Sequence, residues 1–288
     1  MEIRCARPDT ADIESVASAL AQWQTDDGPF QLHPGDVGWF CRFGAATAAA
    51  ALRAWRDESR VLAVGLLDGP TLLRLAIAPD ARDDEYLARR IAEDIDSPQR
   101  GVLPGGAVSV EAPRGTRVRA LLGEAGWDAD EAWTPLGRDL TVPVEDPGIR
   151  TDLVRASTAH LRAAVQRAAF AGSTFTEDAW RAMADSPLYE DARCLVAFEA
   201  TGAAVAIVTV WSAGPGRPGL IEPLGVHRDY RRRGYGTAIA LAASAALREM
   251  GASRATVCTP SSNAAAIAAY VSAGLTSLPE THDLHRAR

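Results

Sequence analysis

The stretch Glu222-Pro-Leu-Gly-Val-His-Arg-Asp-Tyr-Arg-Arg-Arg-Gly-Tyr-Gly-Thr-Ala238 gathers the groups best suited to hold an anion. A short apolar strand runs into a turn made of Arg231, Arg232, Arg233, Gly234, Tyr235, Gly236 and Thr237, and an alanine-rich helix leaves it. Glycine lets backbone approach a ligand closely, and a helix start offers unpaired N–H groups at the positive end of its dipole. Guanidinium groups add charge and planar, forked donors. The combination fits a phosphate-bearing cofactor. The same residues also fit a plain tight turn with a solvated basic corner. A dinucleotide loop of the Gly-x-Gly-x-x-Gly type does not fit, because Ile239 stands where the third small residue is needed.

The rest of the chain narrows the partner. Net charge is −7, so the arginine cluster is local, which suits a small anion and gives no support to a nucleic-acid partner. All 30 basic residues are arginine, which excludes mechanisms that need a Schiff-base or Walker lysine. Cys5, Cys41, Cys194 and Cys258 are scattered and the five histidines show no ligand spacing, so no metal is expected and the cysteines read as core residues. No apolar run approaches the roughly 20 residues needed to span a membrane, and Met-Glu-Ile-Arg-Cys-Ala-Arg-Pro lacks a secretion signal's apolar core. The expectation is a cytoplasmic protein, a monomer or homodimer, with no membrane partner.

Positioning that turn requires a larger frame. A chain of 288 residues is comfortable for two domains of about 140. Pro143-Val-Glu-Asp-Pro-Gly148 is the best boundary, giving 1–142, a linker at 143–150, and 151–288. In the first half, a helix capped by Thr10 or Asp12 carries Ile13, Val16, Ala17 and Leu20. Asp26–Gly38 reads as a loop, with His33-Pro-Gly-Asp36 as a turn or a site. Arg60–Leu67 and Thr71–Ala78 form a hairpin, followed by a helix to Ile95, a strand at 107–111, a helix at 116–124 and an extended stretch at 133–142. The second half repeats the pattern. A strand at 152–156 is followed by a helix capped by Ser157, a helix at 177–184, and a hairpin of 193–199 with 203–212. Then come a strand at 219–226, a helix at 237–250, a strand at 254–259, a helix at 263–273 and a last strand from Leu275. Internal duplication explains the match economically.

The second half resembles the GNAT superfamily of acyl-CoA-dependent N-acetyltransferases. One motif is Arg231-Arg-Arg-Gly-Tyr-Gly236, and the other is Asn263-Ala-Ala-Ala-Ile-Ala-Ala-Tyr270-Val-Ser-Ala-Gly-Leu275. Together they cover roughly residues 150–285. The resemblance implies an α/β (α+β) fold of two tandem GNAT-like domains, each a mixed, mostly antiparallel twisted sheet flanked by helices. It implies acetyl-CoA as co-substrate, its pyrophosphate held around Arg231 to Thr237 and its pantetheine arm paired with the free backbone of Leu224 and Val226 where two strands splay. Asn263 joins the cofactor-binding set, and Tyr270 corresponds to the family's proton donor to sulfur. Tyr270 also stands at a core position of its helix, and both roles are compatible.

Acetyl transfer to a primary amine of a small molecule further needs a base. Glu222 is the acid on an otherwise apolar strand, although the superfamily's acid is more often two residues earlier, at Leu220 here. Glu222 serves equally as a fold-fixing acceptor of a backbone hydrogen bond. His227 is a poorer base beside the phosphate turn. The first-half counterpart of that turn, Pro79-Asp-Ala-Arg-Asp-Asp-Glu85, has four acids and no glycine, so the first domain is expected to be degenerate and non-catalytic. The acceptor is expected to meet the loops Phe170–Thr176, Trp211–Arg217 and His33–Trp39. The alternative to an enzyme is a non-catalytic acyl-CoA-binding sensor or scaffold.

Overall fold

Apolar runs bounded by Gly, Pro and Asp make the strands here, and side-chain caps start several of the helices. The computed structural model describes residues 2–287. The order begins β1 (Arg4–Ala6), α1 (Ile13–Gln22), α2 (Pro34–Phe40), α3 (Ala45–Ala51), β2 (Leu52–Arg56), β3 (Val61–Leu67) and β4 (Leu72–Ile77). Next come α4 (Glu85–Asp96), β5 (Val108–Glu111), α5 (Arg117–Glu124), β6 (Asp128–Asp139), β7 (Arg150–Leu153), α6 (Ala159–Ala169) and α7 (Glu177–Ala184). The chain continues through β8 (Ala192–Phe198), β9 (Ala204–Trp211), β10 (Gly219–Val226), α8 (Tyr235–Glu249), β11 (Arg254–Pro260), α9 (Ala264–Ser272), β12 (Thr276–Ser277) and β13 (Thr281–Arg286).

Two compact units result, and neither is one continuous piece of chain. The first comprises the residues up to His33, Ala45–Trp133 and the stretch from Glu280 onward; the second comprises Pro34–Gly44 and Thr134–Pro279. The units therefore do not follow the linear division expected at residues 143–150. The first half lends α2 to the second unit, and the second half lends β13 to the first. β6 begins in the first unit and ends in the second.

Within the first unit the strands run β1-β2-β3-β4-β5-β13-β6. Within the second they run β6-β11-β10-β9-β8-β7, with β12 also on β6. Each unit has a parallel pair, β4–β5 in the first and β10–β11 in the second, beside antiparallel pairings. This shared placement of the parallel pair is the structural counterpart of the repeat read from the sequence. The second unit's core joins Val205, Val208 and Val210 of β9 and Ile221 of β10 to Ile239 and Leu247 of α8, with Val257 of β11. Fully burying each such side chain contributes about 1.5–3 kcal/mol. Ala240, Ala242, Ala243 and Ala246 make the sheet-facing side of α8 thin, so the helix lies close to the strands.

Residues 34–40, expected as part of a loop, form helix α2. Proline at the first helical position costs no hydrogen bond and presets φ. A Cβ on Gly38 would overlap the Trp211 ring, so glycine here lets that indole lie against the helix backbone. Elements α3, β2 and β13 were not foreseen. At the start of the chain Asp9 does the capping, accepting from Ala11 and Asp12 N–H groups and completing a capping box with Asp12. Among the described residues no disulfide joins any of the four cysteines. Among the described residues no helix is long and apolar enough to cross a membrane.

Candidate active site

β10 and β11 pair at Gly219 with Ala255 and at Leu220 with Thr256, whereas β10 stays paired with β9 as far as Val226. Beyond Leu220 one edge of β10 thus opens as the strands part. His227 N–H donates to Val205 O at 2.8 Å, toward β9. Backbone polarity alternates along a strand, so Gly225 shares that direction and the N–H groups of Leu224 and Val226 turn into the gap. Pro223, which has no N–H to offer, sits within the register shift between Ile221 and Leu224.

The arginine–glycine turn stands at the end of this open strand. Gly234 is the N-cap of α8 with φ 84°, a left-handed conformation that favours glycine, and no side chain caps the helix. The first turn is closed by Ala238 N–H to Gly234 O at 3.0 Å, which leaves the N–H groups of Tyr235, Gly236 and Thr237 ahead of the helical ladder. Gly236 lets α9 approach: a Cβ there would stand 3.2 Å from Ala269 Cβ. The three arginines are not equivalent. Arg231 Nη2 donates to Ala169 O at 2.6 Å and Arg228 Nε to Ala168 O at 3.1 Å, so these two bind the turn to the end of α6. Arg232 (φ 61°) and Arg233 are exposed beside the helix start, with Arg233 stacked 5.2 Å from the Tyr230 ring. Tyr235 Oη donates to Glu199 Oε2 at 3.4 Å.

Tyr270 points inward from α9 and is 6% exposed. Burial drives its phenol well above the ordinary tyrosine range, and the negative charge of Glu222 pushes it further in that direction. The two sequence-selected catalytic candidates therefore interact electrostatically, and the phenol keeps its proton. Glu222 is half-buried, and its backbone oxygen accepts from Trp211 Nε1 at 2.8 Å. Leu220, where the superfamily's acid is more often found, is buried. Asn263 caps α9: its side-chain oxygen accepts from Ala266 N–H at 3.2 Å, and its amide reaches Thr259 Oγ1 at 3.4 Å. His227 Nδ1 accepts from Asp229 N–H at 3.3 Å, which commits that ring to its own turn.

A parted parallel pair, an uncapped helix start and a buried tyrosine within the field of an acid form one constellation. The model of the Acetyltransferase (GNAT) family matches residues 160–275, which contain all of it. Residues 160–275 are thus similar to a GNAT acetyltransferase domain. Among curated proteins none matches the chain by sequence. Its fold is similar to that of a solved tandem GNAT protein from the clavulanic acid biosynthesis pathway (TM-score 0.62, 17% identity, 99% of this chain and 98% of that one). It is similar also to a GCN5-related N-acetyltransferase from Sphaerobacter thermophilus (0.57, 19%, 99% and 95%) and to a GNAT-family acetyltransferase from Colwellia psychrerythraea (0.59, 13%, 100% of both). The tandem GNAT fold thus extends over the whole chain.

The first GNAT-like unit has the same frame with its openings filled. Ala78 N–H donates to Leu62 O, as His227 does to Val205, so Leu75 and Ile77 are the counterparts of Leu224 and Val226. Their outward groups are taken: Leu32 N–H donates to Leu75 O at 3.2 Å, and Ile77 N–H to Gln31 Oε1 at 3.2 Å. The helix start is filled as well. Asp84 caps α4 by accepting from Leu87 N–H at 2.9 Å, and Glu85 pairs with Arg117 and Arg89.

Several residues with functional potential escaped the reading of the sequence. A cavity of about 370 Å³ in the second unit is lined by Trp39, Arg42 and Phe43 from the α2 segment, by Gln166 of α6, and by the Phe170–Phe175 loop. Two of the three loops expected to meet the acceptor line this cavity, 170–176 through Phe170 to Phe175 and 33–39 through Trp39. The third does not, since Trp211 is buried beneath α2. Behind the cavity Arg162 is wholly buried, held by Cys194 Sγ at 3.1 Å, Gln166 Oε1 at 2.7 Å and Thr209 Oγ1 at 3.4 Å. The available signal was Trp39-Phe-Cys-Arg42-Phe43, a cation set between aromatic residues; Arg162 inside an amphipathic helix gave none.

Proposed function

We propose that the chain transfers an acetyl group from acetyl-CoA to a primary amine of a small molecule, at one site in the second unit. The observation that carries this reading is the open edge of β10 leading to the uncapped start of α8. Leu224 and Val226 offer backbone groups to a pantetheine arm, and the amides of Tyr235, Gly236 and Thr237 offer donors to a pyrophosphate. Arg232 and Arg233 supply charge there. Arg231 and Asn263 shape the site, the one by holding the turn to α6 and the other by capping α9.

The amine nitrogen bonds to the acetyl carbonyl carbon as the carbon–sulfur bond breaks. Glu222 takes a proton from the attacking amine, and Tyr270 gives one to the departing sulfur. A phenol kept protonated by burial suits a donor, which must hold its proton until the sulfur leaves. The first unit shapes the fold and binds no acetyl-CoA, because its own residues occupy both the strand edge and the helix start.

Isothermal calorimetry with acetyl-CoA tests this reading. We expect saturable binding of one molecule per chain, abolished in Gly234→Glu, which places a carboxylate where the phosphates go. Two molecules per chain would reject the single-site assignment, and no binding would reject the whole reading. Release of free CoA with an amine panel separates the enzyme from an acyl-CoA sensor, which would bind and not turn over.

A further inference from the structure

The cavity beside α2 has a chemical signature of its own. Its walls are aromatic: Trp39 and Phe175 stack with centroids 5.5 Å apart, and Phe43 and Phe170 add two partly exposed rings. Its polar lining is biased toward donors. The Arg42 guanidinium carbon lies 4.1 Å from the Trp39 centroid and 4.1 Å from the Phe43 centroid, and its Nη1 donates to Trp39 O at 2.9 Å, which anchors its positive charge at the cavity wall. Gln166 is 6% exposed, and its oxygen is fixed by the buried Arg162 at 2.7 Å. A side-chain amide whose oxygen accepts from a guanidinium must present its NH2 elsewhere, and Gln166 lines the cavity.

Charge decides what such a cavity takes. No Asp or Glu lines it. Arg162, whose hydrogen-bond partners are all neutral, lies 4.6 Å from the Phe175 ring and 5.7 Å from the Trp39 ring, so positive charge stands directly behind the aromatic wall. An ammonium group there meets the like charge of Arg42 and no lining acid, whereas a carboxylate meets the Gln166 amide in the positive field of Arg42 and Arg162. The cavity also adjoins the reaction strand. Phe170, one of its walls, packs on Gly225, between the two residues whose backbone opens into the gap; a Cβ on Gly225 would stand 2.7 Å from that ring.

We propose that this cavity holds the carboxylate and flat apolar side chain of the acceptor, which is therefore an aromatic amino acid or a close derivative carrying a free amine. The proposal rests on the acetyl-transfer reading above and names the acceptor class for that same site.

The test uses the full chain with acetyl-CoA and three related amines: phenylalanine, phenylalaninamide and 2-phenylethylamine. Hydrogen bonds to a charged group predict a KM for phenylalanine about ten- to a hundredfold below those of the two amines lacking a carboxylate. Gln166→Leu and Arg42→Gln should each narrow that ratio, with calorimetric acetyl-CoA binding confirming that both variants are folded. Equal or better use of 2-phenylethylamine, or an unchanged ratio in both variants, overturns the proposal while leaving acetyl transfer intact. A second arm needs no turnover: quenching of tryptophan fluorescence, through Trp39, by phenylalanine against 2-phenylethylamine. If acetyl-CoA binds but no amine is acetylated, the functional reading fails and this arm still decides the cavity's preference. Tighter binding of phenylalanine supports it, and equal or absent binding refutes it.

Discussion

At the residue scale, Tyr270 carries the sharpest prediction. Tyr270→Phe should keep the ring's packing and lower kcat by about 10²–10⁴-fold, the usual contribution of a positioned proton donor. Its effect on stability follows from the direction of its shift. The phenol titrates near 10.0 in the unfolded chain and higher in the folded protein. The folded state therefore holds a proton that the unfolded state has lost, and stability falls as pH rises above that value. Tyr270→Phe should flatten this alkaline limb in chemical denaturation at pH 9 to 11, leaving the part due to Tyr189, whose phenol burial also raises. The motif residues were legible in the sequence because glycine, arginine and tyrosine at fixed offsets carry their chemistry in their identities. What each arginine does was not, since Arg231 answers to a carbonyl sixty-two residues away.

At the element scale, α2 is held by what it packs against. The segment Pro34-Gly-Asp-Val-Gly-Trp-Phe40 contains a proline and two glycines, which is why it reads as loop. It becomes helical because Gly38 fits the Trp211 ring, which itself donates to the Glu222 backbone oxygen on β10. Gly38→Val should therefore cost about 1–3 kcal/mol through overpacking, measured by urea denaturation. Displacing the indole should also weaken activity, through β10, more than the loss of stability explains. β13 was missed for a related reason. Thr-His-Asp-Leu-His-Arg buries only Leu284, and its strand character comes from the partners on both sides, β5 and β6. By contrast, α7 and β10 were read with the bounds observed, because their caps and apolar runs lie within the segments themselves.

At the scale of the whole molecule, linear order and compact unit disagree. Removing residues 280–288 should strip the first unit of an inner strand and leave the second unit's segments untouched. We expect denaturation to split into two transitions, with the earlier one assigned to the first unit; a single unshifted transition would count against this. A fragment starting at residue 144 should expose Trp211 by losing α2, and its indole emission should move to longer wavelength. Composition and turn chemistry give the two-part plan from the sequence. The exchange of α2 and β13 leaves no mark there, since neither segment differs in composition from an ordinary loop or polar tail.

The exchange also sets an order of events during synthesis. β5 and β6 are made early, but the strand that lies between them is made about 140 residues after β6 ends. At about 5–20 residues per second the vacancy lasts on the order of ten seconds. Throughout that time the nascent chain presents two unsatisfied strand edges to its surroundings. A protein built this way depends on whatever keeps those edges apart from other chains until its own last strand arrives.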